Sequence, residues 1–282
     1  MRIIENIADM RAFITKHKKE GKTIGLVPTM GALHEGHLTL MRTAKTTCDI
    51  VVASIFVNPT QFGPNEDFSC YPRDLAKDSD KAASAGVDVI FHPHVSEMYP
   101  GGYATFVKVQ GLTEKLCGLS RPEHFQGVTT VVCKLFNIVQ PDKAFFGQKD
   151  AQQVLVIKQM VRDLNINIAI EVVPIVRESD GLALSSRNAY LSNEERAAAL
   201  VLSRSLRSAE EAVQQGERDI AKIRAVVVNN IAAEPLTAID YVEIYNYPDL
   251  RSIDSLQGKA LLALAVRFGK TRLIDNIILE MV

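Results

Sequence analysis

The sequence predicts an α/β protein with two domains, and three observations carry that prediction. Short apolar segments alternate with helical patterns as far as residue 177, which is typical of βαβ units and a parallel sheet. The sequence pattern then changes, and long helical segments precede segments that alternate apolar and polar residues. The length of 282 residues also exceeds that of most single domains. We expect a Rossmann-type doubly wound sheet in residues 1–177 and a smaller C-terminal α+β domain in residues 178–282, joined by a hinge.

Glycine and proline divide the first domain into its elements. Helices are predicted over residues 5–19, 34–44, 72–85, 127–139 and 150–164, the first and third closed by Gly21 and Gly86. Apolar strands are predicted over residues 24–27, 50–57, 87–91, 105–109, 143–146 and 166–174. Because Pro28 cannot donate to a central ladder, we expect the first strand to end before it.

The second domain is predicted to begin near Leu191. Ser192 and Glu195 form a capping box that opens a helix rich in Ala and Leu, which should run to Gln215. A second helix is predicted over residues 219–231, and alternating residues predict strands over 239–245, 260–268 and 272–279. These elements predict a small sheet packed against two helices.

Composition argues against several classes of partner. The 32 Lys and Arg residues nearly balance 33 Asp and Glu residues, giving a formal charge of -1 without a basic tail, so nucleic acid is not expected as a partner. The four cysteines lack C-x-x-C spacing, which indicates reduced thiols that we expect to be buried and inert. No signal peptide or long apolar run is present, so we expect a soluble cytoplasmic protein without a membrane partner.

A turn that binds a nucleoside triphosphate is predicted between a strand and a helix, in the segment from Val27 to His37, V-P-T-M-G-A-L-H-E-G-H. Gly31 allows a tight turn, and the helix N-terminus attracts anions. His34 and His37 are spaced so that both imidazoles can donate to one phosphate, while Gly36 leaves room for a base or ribose. Histidines here could instead be satisfied structural residues, and a zinc site would need a third ligand nearby. The H-x-G-H pattern resembles a signature of the adenylyl-transferring superfamily that includes class I aminoacyl-tRNA synthetases.

Polar side chains also follow other predicted strands of this sheet. Asn58 and Gln61 carry amides that suit a neutral polar ligand, although both also fit an ordinary turn. Lys149 stands where its mobile ammonium can stabilise the negative charge that moves onto pyrophosphate. Asp150 can either cap a helix or accept hydrogen bonds from ribose hydroxyls. Gln153 shares a helix face with them.

Two further polar segments complete the candidate site. Residues 176–188 contain Ser185, Ser186 and Arg187, a set of donors that fits a triphosphate but also fits a linker. Arg121 and His124 precede a predicted helix, in a segment that by itself fits a surface turn.

Five motifs, taken together, resemble the pantothenate synthetase family: P-T-M-G-A-L-H-E-G-H, S-I-F-V-N-P-T-Q-F, R-P-E-H-F-Q-G-V, F-F-G-Q-K-D and L-S-S-R-N, across most of residues 24–190. The resemblance implies ATP-dependent joining of pantoate to β-alanine through an acyl adenylate, with Mg²⁺, in a homodimer. Leu184 and Thr60 stand where methionine is frequent in this family.

The resemblance also assigns roles to residues. Charge on the reacting phosphate is expected to be stabilised by His34, His37, Lys149, Ser185, Ser186 and Arg187. Gln61 and Gln153, with Asn58, are expected to bind pantoate and β-alanine. Asp78 is a candidate for the magnesium side of the site. ATP is expected to be framed by Met30, Gly31, Ala32, Leu33, His34, Glu35, Gly36, His37, Gly147, Gln148, Lys149, Asp150, Val176, Leu184, Ser185, Ser186 and Arg187.

Two other functions remain open at this stage. A nucleotidyltransferase of the same superfamily would move AMP onto a phosphorylated vitamin precursor, but the sequence contains no additional phosphate-binding cluster. A regulatory module would bind ATP without a reaction, and such a module would not need the paired glutamines.

Overall fold

The structure, a computed structural model, describes residues 1–64, 66 and 68–281. The chain divides into two compact units. The first comprises Met1–Gln148 and Gln152–Pro174, and the second comprises Lys149–Ala151 and the chain from Ile175 onward. The domain boundary at residue 177 stays a prediction.

A parallel sheet forms the centre of the first unit. Its strands are β1 (Arg2–Ile4), β2 (Ile24–Thr29), β3 (Ile50–Ile55), β4 (Val89–Phe91), β5 (Lys143–Gly147) and β6 (Ala169–Val173). They lie in the order β1-β4-β3-β2-β5-β6, and every pairing is parallel. Helices in this part of the chain are α1 (Ile7–Lys19), α2 (Glu35–Thr47), α3 (Leu75–Ser84), α4 (Val95–Met98), α5 (Cys117–Ser120), α6 (His124–Val139) and α7 (Ala151–Asp163), with short 3-10 helices at Pro59–Gln61, Leu112–Glu114 and Gln148–Asp150.

The sheet separates two hydrophobic cores. Leu26 and Val52 belong to the core shared with α1 and α6, whereas their neighbours Val27 and Val51 belong to the core shared with α2. Successive strand residues point to opposite faces, so helices cover both faces and the predicted doubly wound sheet is confirmed. The direction of winding reverses between β2 and β5, and in such folds ligands bind beside the carboxyl ends of the strands at that point.

Pro28 does not end β2, and this prediction is wrong. The strand continues to Thr29, with Pro28 opposite Ser54 of β3. On its other side β2 pairs with β5 only at Gly25 and Leu26. A residue without an N–H therefore costs no ladder bond on that side, and proline is tolerated.

The predicted strand over residues 105–109 is also wrong, because this segment is irregular. At its centre, the backbone of Val107 bonds to side chains of α6 instead of to a neighbouring strand. The Val107 amide donates to Thr130 Oγ1 at 3.0 Å, and Thr129 Oγ1 donates to the Val107 carbonyl at 2.6 Å. Apolar spacing predicted an extended segment here but could not identify this partner.

Other differences are smaller. Strand β1, three residues long at the edge of the sheet, was not predicted because so short a segment carries little periodicity. Cys48 is buried, but Cys70 is exposed, so the expectation that all four thiols are buried is wrong. Within the part of the chain that the structure describes, no helix is both long and apolar enough to cross a membrane.

The second unit contains an antiparallel sheet and two long helices. The elements are α8 (Asn193–Gln214), α9 (Ile220–Ala232), β7 (Thr237–Asn246), β8 (Lys259–Phe268) and β9 (Thr271–Glu280), after a 3-10 helix at Ser186–Tyr190. The sheet order is β7-β8-β9. The predicted capping box opens α8: the Glu195 amide donates to Ser192 Oγ at 3.2 Å, and the Ser192 amide donates to Glu195 Oε2 at 2.9 Å. The predicted small sheet with two helices is therefore confirmed.

Candidate active site

The chain turns sharply where β2 ends, and α3 holds the turn. Gly31 has a φ of 86° and Ala32 a φ of 50°. The amides of Ala32 and Leu33 donate to Asp78 Oδ2 and Oδ1 at 2.8 and 2.7 Å, and Lys81 Nζ donates to the Leu33 carbonyl. A Cβ at position 31 would stand 2.8 Å from Asp78 Oδ2, so glycine meets both the conformational and the spatial requirement.

Asp78 therefore has a structural role in the turn, and the magnesium contact that the sequence suggested for it stays a prediction. It is only 3% exposed, and each carboxylate oxygen accepts an amide hydrogen. Among residues 1–64, 66 and 68–281, no group of three or more His, Cys, Asp or Glu side chains is arranged to hold a metal ion. The sequence signal for this role was absent, because the turn and Asp78 lie far apart along the chain.

His34 and His37 lie side by side at the start of α2, with ring centroids 4.1 Å apart. His34 caps the helix, so the helix begins one residue later than predicted. The Gly36 amide donates to His34 Nδ1 at 3.2 Å, and the His34 amide lies 3.4 Å from His37 Nδ1. A ring nitrogen that accepts carries no hydrogen, so each neutral ring has its hydrogen on Nε2. Two imidazole donors are thereby oriented at a helix N-terminus, an arrangement suited to a phosphate.

Asn58 determines which way the amide of Gln61 points. Asn58 is 1% exposed, and its Oδ1 accepts from the Tyr99 hydroxyl at 2.7 Å and from Thr60 Oγ1 at 3.0 Å. Its Nδ2 is thus a donor, and it donates to Gln61 Oε1 at 3.1 Å. Gln61 keeps Nε2 for donation, and that atom lies 3.2 Å from the sulfur of Met30. The contact with Asn58 therefore fixes which end of the Gln61 amide is the donor.

Asn58 is buried and holds this amide in place, and its expected contact with the substrate stays a prediction. Its Nδ2 also donates to the Gly127 carbonyl at 3.2 Å. Burial raises the pKa of Tyr99 to about 12, so its hydroxyl keeps its hydrogen at neutral pH and remains a donor to Asn58. A Cβ on Gly127 would come within 2.3 Å of the Thr60 carbonyl oxygen, which shows how closely α6 approaches the Gln61 turn.

The segment containing Arg121 and His124 holds the main chain of the same turn. Arg121 Nη2 donates to the Gln61 carbonyl at 3.2 Å, and His124 Nδ1 lies 2.9 Å from that oxygen. Arg121 Nε also donates to Glu66 Oε1 at 2.6 Å. Burial raises the pKa of Glu66, but the hydrogen bonds and charge of Arg121 outweigh it and leave that pKa below its usual range. The segment is thus more than the surface turn that remained open from sequence.

The end of β5 is open. A Cβ on Gly147 would meet no atom within 4 Å, so the backbone there can be approached closely.

Gln153 is half-buried in the next helix. Its neighbour Gln152, whose role was not predicted from the sequence, is 6% exposed. Its Nε2 donates to two carbonyls of segment 112–115 at 2.8 and 2.6 Å, and its Oε1 accepts from the Cys117 amide at 2.9 Å. Gln152 therefore organises the segment that leads to α5.

Within the second unit, two separate predicted ATP segments meet. Lys149 and Ser185 line one small cavity, together with Leu182, Ala183, Asn188, Leu202, Leu273, Ile274 and Asp275. The Leu184 amide donates to the Val176 carbonyl at 3.0 Å, which brings those two predicted residues together. Ser185 Oγ accepts from the Arg187 amide at 3.3 Å at the start of the 3-10 helix.

Two other predicted ATP residues are exposed. Glu35 forms an ion pair with Arg42 on the outer side of α2, and the hydrogen bond from Arg42 lowers the pKa of Glu35. Asp150 is exposed at the end of the Gln148–Asp150 helix. The side chain of Glu35 is thereby engaged on the helix surface, whereas its backbone remains part of the histidine turn.

Comparison with known proteins gives one consistent answer. The family model described as pantoate-beta-alanine ligase matches residues 2–278. The chain is 63% identical to the pantothenate synthetase of Pelotomaculum thermopropionicum and 62% identical to that of Heliobacterium modesticaldum, covering 99% of this chain in both cases and 99% and 100% of those proteins.

Two similar solved structures come from the same family. Pantothenate synthetase from Thermus thermophilus superposes with a TM-score of 0.94 at 47% identity, covering 98% of this chain and 99% of that one. A pantoate-beta-alanine ligase from Francisella tularensis, described as complexed with beta-gamma ATP and beta-alanine, gives a TM-score of 0.81 at 36% identity over 99% of this chain and 97% of that one. The chain therefore belongs to the pantoate-beta-alanine ligase family.

Proposed function

We propose that the protein condenses pantoate with β-alanine at the expense of ATP, forming pantothenate, AMP and pyrophosphate. The observation that carries the proposal is the pair of oriented imidazole donors at the N-terminus of α2, in the same unit as the donor amide of Gln61. A phosphate and an oxygen-rich acid are the ligands that these groups suit. The family membership supports the same reaction.

The chemistry needs two displacements and no covalent enzyme intermediate. The pantoate carboxylate attacks the α-phosphorus of ATP, and pyrophosphate leaves with the electrons of the broken P–O bond. The amine of β-alanine then attacks the acyl carbon of the pantoyl adenylate, loses a proton and expels AMP. Charge gathers on phosphate oxygens in the first step, so positioned donors supply most of the stabilisation.

The site residues divide between these tasks. His34 and His37 donate to a phosphate of ATP, while the Nε2 of Gln61 donates to an oxygen of pantoate and Gln153 supports the same substrate. Lys149 and Arg187 neutralise charge on the leaving pyrophosphate, together with the hydroxyls of Ser185 and Ser186. The open backbone at Gly147 allows close approach of the nucleotide. The remaining framing residues are Met30, Gly31, Ala32, Leu33, Glu35, Gly36, Gln148, Asp150, Val176 and Leu184.

Magnesium enters this proposal with the nucleotide. The described residues present no cluster of three or more metal-ligating side chains, so we expect the phosphates and water to supply most of its ligands. We also expect the protein to form a homodimer in the cytoplasm and to have no nucleic-acid partner.

Product analysis tests the reaction directly. Purified protein is incubated with ATP, Mg²⁺ and pantoate, with and without β-alanine, and AMP, pyrophosphate and pantothenate are resolved. Pantothenate and AMP are expected in equal amounts only when the amine is present. An absence of pyrophosphate under both conditions would reject the assigned reaction, and ATP binding without any product would favour a regulatory module.

Asn58→Asp is expected to raise the KM for pantoate by roughly 10-fold, because a tenfold change corresponds to the loss of about one hydrogen bond. The KM for ATP should stay within about twofold of wild type. The carboxylate cannot donate to Gln61 Oε1, so the Gln61 amide turns and presents an acceptor to the substrate. Steady-state kinetics with each substrate varied measure the effect. Asn137→Asp, the same change at an exposed position of α6, is the control. An unchanged KM for pantoate would show that the orientation of Gln61 does not matter.

A further inference from the structure

We propose that Asn276 is a positioning residue for Lys149, and that β9 is the platform on which the phosphate-binding groups of the second unit are aligned. The proposal rests on the proposed function, because it explains how one of its groups is placed. Neither the motifs nor the family resemblance pointed to β9, which lies more than a hundred residues beyond Lys149 in the sequence.

The contact itself is direct. Asn276 is 3% exposed, and its Nδ2 donates to the main-chain carbonyl of Lys149 at 2.9 Å. The bond fixes the backbone from which the Lys149 side chain extends, whatever that side chain does. Asn276 stands in the middle of β9, opposite Ala263 of β8, where the antiparallel ladder holds it on a rigid element.

Lys149 belongs to the second unit, although its neighbours along the chain belong mostly to the first. Residues Lys149–Ala151 group with the second unit, although Gln148 before them and Gln152 after them group with the first. A segment this short cannot be held by a core of its own. A buried hydrogen bond to its first residue is therefore a specific anchor, and its loss would free the main chain at the position of the ammonium.

The preceding residue of β9 anchors the other phosphate-binding segment. Asp275 is 2% exposed and accepts from Arg177 Nη1 and Nη2 at 2.6 and 2.9 Å. Arg177 in turn donates to the Gly181 carbonyl at 3.1 Å, and it forms an antiparallel bridge with Ala183, two residues before Ser185. A bidentate pair with a buried carboxylate fixes both distance and orientation.

Adjacent residues of one strand thus hold the two segments whose side chains meet around one cavity. Lys149, Ser185 and Asp275 all line it, and it has room for about one water molecule. A small cavity leaves little freedom for either segment to shift while its anchor is intact. The distance between the Lys149 main chain and the serine segment is therefore set by β9, and a displacement of about 1 Å at the base of the side chain is enough to slow such chemistry strongly.

Asn276→Leu tests the role of the donor, and Asn276→Asp is the second variant because it retains the shape of the side chain and a polar group. Each is expected to lower the rate of adenylation, measured as pantoate-dependent exchange of pyrophosphate into ATP, by roughly 10-fold. Aminolysis of supplied pantoyl adenylate by β-alanine is expected to stay within about twofold of wild type, since that step does not use the pyrophosphate-binding ammonium. A loss of folded protein would lower both half-reactions equally.

A double-mutant cycle separates positioning of Lys149 from a general structural role. In the Lys149→Ala background, Asn276→Leu is expected to lower the residual adenylation rate by less than about twofold, because no ammonium remains to be positioned. An equal loss in both backgrounds would overturn the proposal. So would an adenylation rate of Asn276→Leu and Asn276→Asp equal to that of wild type.

Ile277→Ala is the matched control for stability. Ile277 is the next residue of β9 and packs against the core of the second unit, so its truncation lowers the thermal midpoint without touching Lys149. Adenylation at 25 °C should remain normal in this variant. If the wild-type protein itself forms no pantothenate, the proposed function fails; if the wild type is active and the cycle shows no coupling, only the role of Asn276 fails.

Discussion

Lys149→Ala is expected to lower the rate of pantoyl adenylate formation by roughly 10²-fold or more, the scale for removing a preorganised charge stabiliser. Pyrophosphate leaves with additional negative charge, and an ammonium on a flexible side chain can follow that charge as the bond breaks. Pre-steady-state measurement of pyrophosphate release separates this step from the later aminolysis. Arginine at the same position should restore only part of the rate, because a planar guanidinium does not reproduce a compact ammonium.

Lys158→Ala is the control for this prediction. Lys158 is exposed on α7, so its truncation removes the same charge from the molecule without entering the candidate site. A Lys149→Ala protein that forms the adenylate at nearly the wild-type rate would remove Lys149 from the mechanism. It would also remove the reason for Asn276 to be a positioning residue.

The fold was predictable because its signals are local. Apolar strands of the sheet alternate with helices whose ends are marked by glycine or by a capping residue, and the capping box at Ser192 fixes the start of α8. The errors occur where a distant partner decides the outcome. Val107 has the spacing of a strand, but its backbone is satisfied by Thr129 and Thr130 of α6. Such a pairing leaves no trace in the periodicity of either segment.

The candidate site divides in the same way. Motifs identified the residues that carry donors and charges, such as His34, His37 and Gln61. They could not identify what holds those residues, since Asp78 lies over forty positions from the turn that it fastens and Tyr99 acts on Gln61 through Asn58. Residues that bind a ligand are recognised by type and neighbourhood in sequence. Residues that position them are recognised only when the folded chain shows their contacts.

His37→Asn is expected to lower the adenylation rate by roughly 10²-fold while leaving the protein folded. The Oδ1 of asparagine can take the place of His37 Nδ1 as an acceptor for the His34 amide, so the start of α2 keeps this contact. What is lost is the Nε2 donor. His37→Ala loses both the Nδ1 acceptor and the Nε2 donor, so it should show the same loss of rate. Its free energy of unfolding should also fall by about 1 kcal/mol, because the capping contact is gone.

The comparison of these two variants assigns the imidazole a role that neither gives alone. If the histidine acts only as a cap, His37→Asn should turn over nearly as fast as wild type, and the loss in His37→Ala should follow its unfolding midpoint. If it stabilises the phosphate, both variants lose the same factor in rate although only one loses stability. His94→Ala, at an exposed histidine of the same unit, should change neither quantity. Because histidine and asparagine at position 37 share one contact and differ in one donor, the difference in rate between wild type and His37→Asn measures the catalytic part of His37 directly.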